Sequence, residues 1–274
     1  MLKPDSFAII LRREKRANRR RWPCPPPSHL TPAHNLIPSP YDSARKEIGM
    51  DVEPLVSVSG LLAFARESNR LMIGGLVSSI RECGNESYSL WKHSLAVAST
   101  ARRLALELGL SIEERRLTYL GGLLHDVGKT ALAPATLFKP GPLNAAERDH
   151  LNLHPALGAG MVADLGIGHV SDAVHYHHEL FDGSGYPFGL ARDEIPLVAR
   201  VVGVADYFEA LCESRPYRPL AATSTEALEV IGSLARAGKL DPEITNALPS
   251  VAQTGSPIPS RYFDRVAGFF ELTF

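Results

Sequence analysis

Apolar residues along this chain recur at helical spacing. Between residues 55 and 81, Leu61, Leu62, Phe64, Ala65, Leu71, Met72, Leu76 and Ile80 follow such a pattern, weakened in its middle by Gly74-Gly75. A second helix is predicted over about 89–108. It puts His93, Val97, Ala101, Leu104 and Leu108 on one face and directs Arg102, Arg103 and Glu107 away. Gly109 ends it. Ser111-Ile112-Glu113-Glu114 has the form of an N-cap with acidic first-turn residues, opening a third helix whose Leu117, Leu120, Leu123 and Leu124 run into His125-Asp126, with Gly128 as its stop. Asn144 caps a further helix predicted to about residue 165, and 171–179 and 196–213 supply two more. The stretch 181–196 is a loop rich in glycine and proline. No run alternates as a strand would, so the predicted fold class is all-α.

The first 45 residues differ from the rest. Residues 1–22 carry Lys3, Arg12, Arg13, Lys15, Arg16, Arg19, Arg20 and Arg21 against only Asp5 and Glu14, and prolines crowd 23–40. Proline fixes φ and removes amide donors, so 1–45 reads as a disordered basic and proline-rich leader or linker. The predicted organisation is this leader, a helical cap or dimerisation segment at 46–87, a catalytic domain at 88–250 and a tail at 251–274. Over the whole chain 29 basic residues balance 30 acidic ones, which implies no general attraction to nucleic acid or membrane. Cys24, Cys83 and Cys212 have no CxxC spacing, which argues against a disulfide framework or thiolate zinc site. No apolar stretch approaches the ~18 residues of a membrane span. The Phe7-to-Leu11 run is too short for a secretory signal. A cytoplasmic location is expected.

Histidine placement carries the chemistry. His93 lies on the apolar face of its helix, where a hydrogen-bonded core histidine is the plainer alternative to a ligand. His125-Asp126 sets an imidazole beside a carboxylate at the edge of the core; a C-terminal histidine favoured by the helix dipole is the alternative there. Lys129 follows one turn later. His154 precedes Pro155, and His177-His178 is a doublet whose rings, in a helix, would point about 100° apart. Asp206 sits inside the apolar run 201–205 and calls for a metal or another cation to offset its burial. These residues form a nitrogen and oxygen donor set larger than one tetrahedral ion needs, which points to two metals. His150 and His169 stand outside any motif and read as ordinary histidines.

From about residue 88 to 248 the chain resembles an HD-GYP domain, the bacterial cyclic di-GMP phosphodiesterase branch of the HD metal-dependent phosphohydrolase superfamily. The resemblance rests on His93-Ser94, LGLSIEERRLTYLGGLLHDVGK, KPGPLNAAERDHLNLHPALG, HHELFDGSGYPFGL, IPLVARVVGVADYFEAL and RPYR, in that order, with Gly185-Tyr186-Pro187 shortly after the histidine doublet. It implies an HD-type helical bundle with long functional loops. The metal ligands it implies are His93, His125, Asp126, His154, His177, His178 and Asp206, with Asp126 bridging a dinuclear divalent centre of iron or else manganese. Where some members place a glutamate that supports a third metal, this chain has Ser89; Glu86 lies two turns before His93. Leu180 replaces the basic residue usual after His-His-Glu, which weakens an expected contact to substrate or loop.

The reaction implied is hydrolysis of cyclic di-GMP to pGpG, and onward to GMP, by a metal-bridging hydroxide. Asp126 and Lys129 are the catalytic residues, Lys129 neutralising phosphoryl charge or protonating the leaving group. Lys129, Arg215, Arg218 and Tyr186 would bind substrate, the arginines gripping a second phosphate or a guanine edge. Gly183, Gly185 and Pro187 would set the loop's geometry. The alternatives are another cyclic dinucleotide, such as cyclic GMP-AMP, or a non-catalytic nucleotide-sensing module. A protein partner at the GYP loop and a homodimer are the further expected associations; nucleic acid and membrane are not.

Overall fold

The computed structural model describes residues 75–253 apart from 77, 86–87, 140, 164–168 and 214–220. The leader at 1–45, most of the helix predicted over 55–81, Glu86, Arg215, Arg218 and residues 254–274 therefore lie outside the described residues. What is described is helical, as the apolar spacing predicts. The only strands among the described residues are β1 (Gly84–Asn85) and β2 (Tyr88–Ser89), a two-residue antiparallel pair with Gly84 opposite Ser89.

Helix α1 (Leu90–Glu107) buries His93, Val97, Ala101 and Leu104 along the predicted face. Ser89, at the position of the third-metal glutamate, is instead its N-cap and accepts from the Lys92 N–H. Its end is built by Gly109 at φ +70°, which brings the Gly109 and Leu110 N–H groups onto the Leu106 and Ala105 carbonyls. Arg103 departs from the outward direction expected of it and donates to the Val251 carbonyl. That carbonyl belongs to the last turn of a neighbouring helix, where no intrahelical donor is left.

Helix α2 (Ile112–Leu124) starts at the predicted capping box, with the Ser111 hydroxyl accepting from Glu114 N–H and the Glu114 carboxylate accepting from Ser111 N–H at 2.8 Å. It stops before Gly128, so the expectation that Gly128 terminates it is wrong. The chain passes through a 3-10 turn, Val127–Ala131, and Gly128 has a different task there. A β-carbon at Gly128 would overlap the His154 carbonyl oxygen and crowd the Gly158 amide. Only glycine lets this turn touch the next helix backbone to backbone.

The single turn α3 (Pro134–Leu137) is followed by α4 (Ala145–Leu151) and α5 (His154–Ala163), where one continuous helix was predicted. The Asn144 cap is as expected, with Glu147 completing a capping box. The break has a local cause. Pro155 has no N–H to give the Leu151 carbonyl, so the ladder fails one residue after His154. Helices α6 (Val170–Tyr176) and α7 (Leu197–Cys212) match predicted segments, α6 ending before the histidine doublet. Two helices without a counterpart in the sequence analysis, α8 (Ser224–Arg236) and α9 (Pro242–Gln253), complete the described chain. For α8 a local signal exists: Thr223 and Glu226 form a capping box of the same kind as Ser111 and Glu114. The predicted boundary at 250 falls inside α9, whose Val251 is buried.

Two apolar clusters hold these helices. One gathers Val97, Ala101 and Leu104 of α1 with Val201, Val202, Ala205 and Phe208 of α7, Ile231 of α8 and Leu248 of α9. The other joins Ile80, Leu90 and Ala98 to Leu123 and Leu124 of α2, Val162 of α5 and Val174 of α6. Because α1 and α6 contribute to both, these two helices are fixed by packing on two sides.

Candidate metal centre

The predicted ligands converge. Asp126, His154, His177 and His178 offer donor atoms within 4.8 Å of one another, as do His93, His125 and Asp126, and again His125, His177 and Asp206. All seven predicted metal ligands are thus brought to one place, whereas His150 and His169 are in none of these groups; His169 pairs at the surface with Asp172 at 3.1 Å.

Three of the imidazoles are oriented by the same device. His125 follows the last residue of α2, His154 follows the break after α4, and His177 follows α6. At each helix end carbonyls are left without an intrahelical donor. His125 Nδ1 takes that of Gly122 at 2.8 Å, His154 Nδ1 that of Leu151 at 2.7 Å and His177 Nδ1 that of Val174 at 2.9 Å. For His154 this is the very carbonyl that Pro155 leaves unpaired. Carbonyls only accept, so each Nδ1 is the protonated nitrogen and each Nε2 presents a lone pair to the cavity. The dipole reading of His125 and the ligand reading are therefore one arrangement.

The carboxylates face these lone pairs. Asp126 Oδ2 lies 3.2 Å from His125 Nε2 and 4.0 Å from His93 Nε2. Its Oδ1 lies 3.2 Å from His154 Nε2 and 3.9 Å from His177 Nε2. Asp206 Oδ1 lies 3.0 Å from His93 Nε2 and 3.8 Å from His125 Nε2. Lys129 donates to Asp126 Oδ2, as its one-turn spacing allows. Burial would raise both carboxyls, but charge outweighs it. Beside His125 and the Lys129 ammonium, Asp126 is held well below the usual carboxylate range, and beside His93 and His125 so is Asp206. Burial works on the imidazoles in the opposite sense, lowering His154 and His177 and taking His178 down to about 3, so the neutral, ligating form is favoured.

A cation fits this donor set. His125 Nε2 and Asp126 Oδ1 are buried without a hydrogen bond among the described residues. His154 Nε2 and His177 Nε2 face each other at 3.4 Å. Since both Nδ1 atoms hold the protons, two lone pairs oppose one another there, an arrangement that an ion between them relieves.

The profile of the HD domain matches residues 76–244. The chain belongs to the HD-domain family. His125-Asp126 is the pair that names it, and the further resemblance to the HD-GYP branch holds among the curated relatives. One is the 3'3'-cGAMP-specific phosphodiesterase 1 of Vibrio cholerae serotype O1, 30% identical over 217 residues, which are 78% of this chain and 45% of that protein. Another is the cyclic di-GMP phosphodiesterase PA4108 of Pseudomonas aeruginosa, 38% identical over 63% of this chain and 41% of that one. The chain thus spans less than half the length of these two relatives. Among solved structures, Bd1817, an HDG"Y"P protein from Bdellovibrio bacteriovorus, shares the fold at a TM-score of 0.50 and 24% identity, over 59% of this chain and 51% of that chain. In an HD-domain protein the His and Asp cluster is a divalent-metal site. No described helix is long and apolar enough to cross a membrane.

The GYP loop meets the site where Tyr186 reaches His178. Tyr186, expected to bind substrate, stacks on His178 with ring centroids 4.8 Å apart and 24° between planes. Gly185 abuts the Leu180 amide so closely that a β-carbon would overlap it, Gly183 takes φ +77°, and the Tyr186-Pro187 peptide is cis. Glu179 has no role assigned by the sequence pattern, yet its carboxylate accepts the N–H groups of Phe188, Gly189 and Leu190 at 2.6, 3.2 and 3.0 Å. Leu180, expected to mark a lost contact, is a core residue packed with the α7 cluster.

Proposed function

We propose that this domain hydrolyses a phosphodiester bond of a cyclic dinucleotide, cyclic di-GMP before others, at two divalent ions. The observation that carries the two-ion reading is the division of Asp126: one carboxylate oxygen faces His93 and His125, the other His154 and His177. On this reading His93, His125, Asp126 and Asp206 hold one ion, and Asp126, His154, His177 and His178 the other. Bound divalent metal supplies an activated water at neutral pH and neutralises charge on the phosphoryl oxygens.

The chain's own residues do the rest. Lys129, held on Asp126 Oδ2, brings an ammonium to the mouth of the site, where it neutralises the phosphoryl group or protonates the departing ribose oxygen. The roles of Arg215 and Arg218, which lie outside the described residues, rest on the resemblance: each grips a phosphate or a guanine edge bidentately. Tyr186 acts first on His178, the face of its ring being committed to that imidazole. Iron is favoured over manganese as the resemblance implies, and the catalytic unit extends back at least to Ile80, which is fully buried against α1 and α2. A protein partner at the GYP loop and self-association through the segment before residue 87 complete the reading.

The relative named as specific for 3'3'-cGAMP supports cyclic GMP-AMP as the second substrate to test. The experiment is turnover of both cyclic dinucleotides by anaerobically purified protein supplied with iron or manganese, with metal content measured on the same sample. Conversion to pGpG or GMP at about two ions per chain is expected. Metal-loaded, folded protein that turns over neither sinks the phosphodiesterase reading and favours a nucleotide-sensing module.

A further inference from the structure

His93 is oriented differently from His125, His154 and His177. His125, His154 and His177 stand at helix ends and use spare carbonyls, but His93 is the fourth residue of an 18-residue helix, where the local carbonyls already accept from the ladder. Its Nδ1 faces a side chain of another helix. Glu213, the C-cap residue of α7, places Oε2 3.4 Å from His93 Nδ1. Asp206, two turns earlier on α7, lies 3.0 Å from Nε2 of the same ring. The imidazole therefore lies between two carboxylates of one helix, one facing each ring nitrogen. The register is fixed independently, because Glu209, between them, accepts from Thr100 Oγ1 on α1.

We infer that Glu213 is a positioning residue for the metal centre: it accepts from His93 Nδ1–H, sets Nε2 as the ligating nitrogen, and strengthens that nitrogen as a donor. A carboxylate on the far nitrogen of a ligating histidine fixes its tautomer and raises its basicity more than a neutral carbonyl does. The consequence is an asymmetric centre. The ion held by His93 has a carboxylate-backed imidazole, while the one held by His154 and His177 has two backed by carbonyls alone. This rests on the metal reading proposed above and adds to it a residue from outside the ligand set.

The test uses the full chain stripped of metal and titrated with manganese alone, with free ion followed by its magnetic resonance signal. Glu213→Ala is expected to weaken one of the two manganese affinities by about 10- to 100-fold and leave the other unchanged. Glu213→Asp should recover part of the loss, and the melting temperature of the metal-free Glu213→Gln protein should match that of the parent. Equal affinities in the parent and Glu213→Ala overturn the inference while leaving the metal site intact. Uniform weakening of both ions together with a lower metal-free melting temperature also overturns it, since that is the mark of a merely structural role. A parent that binds no manganese overturns the metal reading and this inference with it.

Discussion

His154 Nε2 and His177 Nε2 point at each other across 3.4 Å, each with its proton committed to a backbone carbonyl on the far side of the ring. Without an ion, the two lone pairs face each other in a buried site, and folding must hold them there against repulsion. Metal should therefore stabilise the protein as well as activate it. A ligand at about 100 times its dissociation constant adds ~2.7 kcal/mol. For a domain of this size each kcal/mol moves the melting temperature by about 2–4 °C. Scanning calorimetry before and after chelation should show a fall of about 5–10 °C, and His154→Ala should lose most of that difference. A melting temperature indifferent to chelator would contradict the assignment.

Acid should act on the metal-free fold through His178. Its half-buried ring is pushed down to about 3 in the folded chain against 6.5 for the ordinary group. Between those values the unfolded chain carries a proton on this residue that the folded chain lacks, so stability is present above about 6.5 and lost as pH falls toward 3. His154 and His177 are depressed in the same direction and add to the effect. Thermal midpoints of the metal-free protein should decline steadily on acidification from pH 7, and His178→Gln should make the decline shallower. A flat profile from 7 to 4 would show that these rings are not neutral and buried as described.

At Gly128 a single methyl group should disturb the centre without replacing any candidate ligand. Its α-carbon lies against the His154 carbonyl and the Gly158 amide, so Gly128→Ala pushes α5 away from the turn that follows Asp126. Overpacking of this kind costs about 1–3 kcal/mol. Because neither neighbour is a flexible side chain, the upper part of that range is expected. The variant should melt lower and bind less metal, with His154 and Asp126 drawn apart. Wild-type metal content in a variant of unchanged melting temperature would mean that the turn can move freely.

The reach of the sequence follows from the physics of each feature. Helices with an apolar stripe and a capping residue, α1 and α2 above all, are legible because both signals are local. The candidate ligands are gathered only by the HD-GYP resemblance, since His93 and Asp206 lie 113 residues apart and no spacing rule relates them. The break at Pro155 has a local cause in the sequence, but its purpose does not: that the freed Leu151 carbonyl orients His154 is a fact of three dimensions. Gly128 was misread for the same reason. A glycine after a helix is a stop when it takes positive φ, and here it is instead a backbone-to-backbone contact with a helix that begins 26 residues later, at His154. Glu179 and Glu213 act through backbone amides and a ring nitrogen, and neither announces itself in one dimension.

Glu179 should separate loop order from metal binding. Its carboxylate gathers three consecutive amides of the GYP loop, from Phe188, Gly189 and Leu190. An amide in its place offers one acceptor oxygen and turns an N–H donor toward donors, so Glu179→Gln should replace at least one of the three bonds by a donor–donor contact, at about 1–3 kcal/mol. That cost falls locally, because the residues that follow are tied elsewhere: Phe181 and Lys239 share a backbone bond, and the Lys239 ammonium pairs with Asp182 at 2.7 Å. The expected result is faster amide exchange at 188–190, a raised apparent Michaelis constant as Tyr186 loosens on His178, and metal content unchanged. If exchange at those amides stays at the parent rate, the carboxylate is not what holds the loop. If metal is lost along with loop order, the stack of Tyr186 on His178 is part of the ligand scaffold and not a cover over it.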